Sequence, residues 1–192
     1  MLKKIFLISF FSVLILTGCS ANSWRKSFSQ HSQVISISDS ILNNIINNYN
    51  NIVIYNISSD WSDNYTVLAS QKDSWFTIKY VLKKDALSAN ESPYTYSINP
   101  LKKFTADSVW NVFVQNQFWE IQSESPGSCD HNKKETGCVV DDGSWSSLTM
   151  ISDKKTVTKR YYEPAFFETS CCPGDKNRQV FLKCLMAMKL IQ

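Results

Sequence analysis

Residues 65–82 read YTVLASQKDSWFTIKYVL. Two runs rich in β-branched and aromatic residues, 65–70 and 75–82, flank the polar connection Gln71-Lys72-Asp73-Ser74. This pattern predicts an antiparallel hairpin with a four-residue connection. In the second run Phe76, Ile78 and Tyr80 alternate with Trp75, Thr77 and Lys79. Successive side chains of a strand point to opposite faces, so one of the two sets is the better core candidate.

The flanking segments extend this sheet. Residues 52–57 (IVIYNI) form a short β-branched run, read as a strand, and 58–64 form a turn. Upstream, Ile41, Leu42, Ile45, Ile46 and Tyr49 recur at helical spacing opposite Asn43, Asn44, Asn47 and Asn48. Ser38 or Asp39 supplies an N-cap oxygen for that helix. Asn is a poor helix former, so the helix depends on packing its apolar stripe. Downstream, residues 83–104 contain Pro93 and Pro100 and read mostly as loop, with an extended piece near 94–98. A second helix starts at Thr105 or Asp107, carries the stripe Val109, Trp110, Phe113 and Val114, and ends near Asn116. An extended piece follows at 118–122. Residues 145–151 and 156–162 form another hairpin around Ser152-Asp153-Lys154-Lys155. A final helix, capped by Asp175, runs to about Ile191. Phe181, Cys184, Leu185, Met188 and Ile191 share one of its faces, and Lys189 lies at the negative end of its dipole.

The expected fold class is α+β: an antiparallel sheet with about three helices on one face. The order helix, strand, hairpin occurs twice. Asp39-Ser40-Ile41-Leu42-Asn43 has a counterpart in Asp107-Ser108-Val109-Trp110-Asn111. A duplicated α-β-β-β unit is therefore an expectation.

The amino terminus carries an address. Lys3 and Lys4 precede an apolar run, residues 5–16, interrupted by Ser9 and Ser12. Thr17, Gly18 and Cys19 follow. This is a secretory leader, too short for a transmembrane span. Its end, Leu16-Thr17-Gly18-Cys19, resembles the lipobox of bacterial lipoproteins. The resemblance covers the leader alone. It implies cleavage after Gly18, diacylglycerol on the Cys19 thiol and a fatty acyl group such as palmitate on the new amino terminus. Several acyl chains hold a protein on a bilayer far better than one, at about 0.8 kcal/mol per buried methylene. Ser20, where an Asp would mark inner-membrane retention, resembles an outer-membrane address. The absence of acids at 21–26 points to the periplasmic face. The expected organisation is a cleaved leader at 1–18, a lipidated flexible tether at 19–36, Ser- and Asn-rich, and one globular domain at 37–192.

Without Lys3 and Lys4, the 20 basic side chains fall to 18 against 17 acidic ones. A nearly neutral domain argues against nucleic acid, which needs a basic stripe to neutralise phosphates. Few glycines and prolines and many aromatics indicate a globular chain.

Five cysteines remain beyond Cys19. An exported chain meets an oxidising medium, so disulfides are the first reading. The odd number leaves one thiol free or bridges two chains, and the pairing stays open. Cys129 and Cys138 flank a polar loop and are candidates to close it. Cys171 or, as the first candidate, Cys172 is placed to reach Cys184 across the Pro173-Gly174 turn. Alternatively Cys184, on an apolar stripe, is a buried thiol packed as a small hydrophobe.

Catalytic and metal-binding patterns are weak. Cys129, His131 and Cys138 with Cys171 or Cys172 have the chemistry for zinc, but not a usual spacing. The adjacent pair Cys171-Cys172 lacks the separation of a thioredoxin-like redox motif. Of two histidines, His31 lies in the expected tether, so a hydrolase would rest on His131, with no Gly-x-Ser-x-Gly elbow beside it. Asp141 and Asp142 precede Gly143 as a turn and not as a facing glycosidase pair. No phosphate-binding or dinucleotide loop occurs. Trp61 and Trp145, at turn or strand edges, are candidates for stacking on sugars or partner side chains, or for core packing.

The function expected from these observations is a non-enzymatic, lipid-anchored envelope protein. It binds another envelope macromolecule and requires no cofactor. The alternatives are an inhibitor or immunity lipoprotein against an envelope-targeted toxin or lysozyme-like enzyme, and a hydrolase using His131.

Overall fold

A computed structural model describes residues 23–34, 40–58, 63–82, 94–124, 140 and 142–192. The elements in chain order are α1 (residues 23–31), β1 (Gln33–Val34), α2 (Ser40–Asn48), β2 (Asn51–Ser58), β3 (Asp63–Gln71), β4 (Ser74–Leu82), β5 (Tyr94–Leu101), α3 (Lys103–Gln115), β6 (Trp145–Ser152), β7 (Lys155–Tyr162), a short α4 (Pro164–Phe166) that passes into a π-turn (Phe167–Cys171), and α5 (Lys176–Lys189). The fold is α+β. All seven strands join one antiparallel sheet in the order β1-β7-β6-β2-β3-β4-β5.

The chemistry of the central strands explains the layering. β2 carries apolar side chains in both registers: Ile52 and Ile54 on one face, Val53 and Tyr55 on the other, and all four are buried. A strand apolar on both sides needs cover on both sides. On one face α1, α3 and α5 pack over Val53, Tyr55, Leu68, Leu148 and Met150. On the other, Ile45 of α2 joins Ile52, Ile54, Val67, Ala69, Ile78 and Ile151. Helices therefore occupy both faces, where the sequence predicted one. β4 buries Trp75 and Thr77 on the first face and Ile78 and Tyr80 on the second.

Both hairpin turns are tighter than expected. Gln71 pairs with Ser74, and Ser152 with Lys155, leaving two residues in each turn. Lys72, Asp153 and Lys154 take positive φ to close them. The stretch expected as loop before α3 completes the sheet as β5. Pro100 sits opposite Phe76 on this edge strand, the place in a sheet where proline is tolerated.

Three further expectations change. Residues 23–34, expected within the tether, belong to the fold: Phe28 is buried, Trp24 packs on the core, and β1 pairs with β7. Two aromatics four residues apart give α1 its packing face. The extended piece at 118–122 is a turn that buries Phe118, Trp119 and Ile121, with Gln117 at φ 49° redirecting the chain. The duplicated unit does not form. Its second copy lacks that strand, and α2 and α3 cover opposite faces.

Asp175 caps α5 as expected: its Oδ1 accepts from the Arg178 N–H at 2.7 Å. Phe181, Cys184, Leu185, Met188 and Ile191 are all buried.

Candidate functional site

Two places on the described surface combine special chemistry with defined geometry. One is a buried polar cluster at the start of α5, and the other is an apolar groove along its outer side.

The cluster centres on Arg178, whose side chain is 2% exposed. It donates to Glu124 Oε1 at 2.7 Å and to the Cys172 carbonyl at 2.9 Å, and it lies 3.6 Å from Glu168 Oε2. Glu124 also accepts from the Tyr162 N–H at 2.9 Å. One cation thus ties segment 122–124, the end of β7, the π-turn and α5 together. Burial pushes the Glu168 carboxyl up, but hydrogen bonds from Gln179 and the Gly174 N–H and the Arg178 charge outweigh it and hold it low. Burial, reinforced by the charges of Asp175 and Glu124, pushes the Tyr161 hydroxyl well above its usual range. It donates to the Gln122 carbonyl. The charges here are paired within the protein, although Arg178 Nε and Glu168 Oε2 are buried without a hydrogen-bond partner, so the cluster is a structural clasp.

The groove arises from the sequence of α5. Once Phe181, Cys184, Leu185, Ala187 and Met188 are buried and Val180 packs beside them, the apolar residues of the outer side are Leu182, Met186 and Leu190. Their four-residue spacing places them on one flank. Val112 of α3 and Asn116 just past its end line the other side of a broad, open trough of about 700 Å³. Met186 is 59% exposed and Leu190 80%. Gln179 and Lys183 stand at the rim, and Asn116 turns one amide hydrogen back to the Val112 carbonyl at 2.7 Å. The lining contains one cation and no carboxylate. Such a trough suits an apolar segment with an acidic or neutral flank.

The residues singled out from the sequence distribute as follows. Cys19, Trp61, Cys129, His131, Cys138 and Asp141 lie outside the described residues, as do Ser38 and Asp39. Cys184 corrects one disulfide expectation: it is a free, fully buried thiol, and burial pushes its pKa up to about 12. Its place on the core stripe points the sulfur into the sheet and away from the Cys171-Cys172 turn. Cys171 and Cys172 are both disulfide-bonded. Asp142 is exposed in a left-handed turn. Trp145 packs against Tyr162 at 5.4 Å and carries the Arg160 guanidinium 4.8 Å from its ring centre. Among the described residues no group of three or more His, Cys, Asp and Glu could hold a metal ion, and no helix is long and apolar enough to cross a membrane.

Sequence reasoning missed the groove, though its signal was present. Leu182, Met186 and Leu190 remain as a second apolar stripe once the core stripe of α5 is assigned. No protein-family model matches the chain, and comparison with the curated proteins gives no match either.

Proposed function

We propose that this chain is a lipid-anchored cell-envelope protein whose α+β domain is a binding module. In this reading the groove between α3 and α5 receives an apolar segment of a partner protein. The observation that carries it is the exposure of Met186 and Leu190 along a trough whose walls are apolar and whose rim is polar. Large apolar side chains held open beside a concave surface mark an interaction site. An amphipathic helix of the partner, with apolar anchors one turn apart and an acid facing Lys183, fits this chemistry.

The test is a crosslinking pull-down of the full lipoprotein from its own envelope, alongside the Met186→Glu and Leu190→Glu variants. Both positions are exposed, so the variants keep the fold. One stoichiometric partner that is captured by the native chain and lost with either variant supports the reading. A partner retained by both variants removes the groove as its seat. Capture of a single toxin or lysozyme-like enzyme in a one-to-one, inactive complex specifies the module as an inhibitor or immunity protein. Hydrolytic activity that is abolished by His131→Ala would replace the binding reading altogether.

A further inference from the structure

The described residues at one end of the sheet carry an excess of lysine. This end holds the β3–β4 and β6–β7 turns, the end of β5 and the start of α3. Exposed Lys72 and Lys154 stand in the two turns, and Lys102 and Lys103 at the start of α3. Against them, the described acids at this end are Asp73, Asp107 and Asp153, and Asp107 is engaged by Lys103 and Trp75. At the far end, Asp142 and Glu163 lie around the end of β7, and Glu124 and Glu168 are paired there with Arg178.

α1 is fastened to the basic end. Trp24 packs on Trp110, which packs on Trp75 at the start of β4. Ser29 accepts from Lys155 beside the β6–β7 turn. Arg25 and Lys26 on this helix are exposed. Three residues lie between Cys19 and Ser23, so the chain can carry the lipidation position no more than about 14 Å from the start of α1.

We propose that this basic end lies against a bilayer displaying anionic phospholipid headgroups, so that the domain stands on the membrane in one orientation. The proposal rests on the lipid-anchor reading of Cys19. The lysines and Arg25 meet the lipid phosphates. α3 points its amino terminus out of this end with no side-chain cap, leaving first-turn N–H groups for phosphate oxygens. Phe104, 85% exposed and preceded by two lysines, enters the headgroup boundary as an interfacial aromatic does. Lys72 and Lys154 hold φ of 54° and 60°, where glycine or asparagine would fit with less strain. This orientation also leaves the end that holds the Arg178 cluster directed away from the lipid.

The experiment is amine footprinting of the full lipoprotein. The chain is reconstituted in phosphatidylglycerol–phosphatidylcholine vesicles and, separately, in pure phosphatidylcholine vesicles. Acetylation of each lysine is read by peptide mass spectrometry. In the anionic vesicles, labelling of Lys72, Lys103 and Lys154 falls roughly three-fold or more, while Lys176 and Lys183 stay unchanged. High salt and pure phosphatidylcholine restore the labelling. Uniform labelling across these lysines, or protection centred on Lys176 and Lys183, overturns the proposal. Intact mass reports the acyl chains separately, so failure of the anchor reading is seen on its own. A chain without acyl groups is then sedimented with the same anionic vesicles. Binding lost in the Lys72→Gln/Lys103→Gln/Lys154→Gln variant upholds the face, and no binding by the native chain removes it.

Discussion

Arg178 shows how one side chain fixes a whole corner of the molecule. A buried guanidinium is tolerated when its charge is paired: Glu124 and the Cys172 carbonyl accept from its two terminal nitrogens and Glu168 lies 3.6 Å away, while its Nε has no hydrogen-bond partner. Removing the cation leaves the Glu124 and Glu168 carboxylates without their counter-charge. Arg178→Met is therefore expected to lower stability by about 3–5 kcal/mol in urea unfolding. A loss below about 1 kcal/mol would mean that water replaces the clasp freely. Backbone conformation gives predictions of either sign. Lys154→Gly relieves a left-handed lysine and should raise stability by about 1 kcal/mol, while weakening the proposed lipid contact. Gly143→Ala should lower stability by about 1–3 kcal/mol, because a Cβ there would meet the Tyr162 hydroxyl oxygen at 2.3 Å. Cys184 should resist iodoacetamide in the native protein and react only in denaturant, since both burial and its high pKa suppress the thiolate.

At the scale of elements, α1 is the clearest case of packing over propensity. Its neighbours are Ser, Asn and Gln, which read as tether, and only Trp24 and Phe28 mark it as a helix. Those two rings join Trp110 and Trp119 in one aromatic cluster, and Ser27 bridges Trp119 Nε1 and Glu120. Short helices gain most of their stability from such contacts and not from intrinsic preference. Phe28→Ala should cost about 3–5 kcal/mol, measured by denaturant unfolding. A true tether would show no change. By contrast, β2, β3, β4, β6 and β7 and helices α2, α3 and α5 were legible from their periodicity. What periodicity could not give was the layering. The double apolar register of residues 52–55 did signal cover on both faces, but which helix lies on which face depends on chain crossings. Residues 118–122 were misread for a related reason. Their apolar residues suit either a strand or a compact buried turn, and Gln117 in the left-handed region decides for the turn. The groove was half legible, because the α5 stripe is in the sequence while its α3 wall is a product of tertiary structure.

At the scale of the molecule, the sheet separates three duties. One face and its helices form the main core, the opposite face is covered in part by α2, and the outer flank of α5 carries the groove. The cluster around Arg178 also sets a pH response. Glu168 is held below its ordinary pKa in the folded chain, so its contribution is present above the unfolded value near 4.5 and is lost as pH falls through the folded one. Thermal unfolding followed from neutral to acid pH should show this loss beginning near the unfolded value, and Glu168→Gln should flatten it. The account as a whole stands on the groove being a seat for a partner. Its most direct test is photocrosslinking in intact envelopes, with a photoreactive amino acid replacing Met186 and, as a control, Glu163. The account predicts one dominant protein adduct from position 186 and none from 163. Equal adducts from both positions, or an adduct from 163 alone, would contradict it.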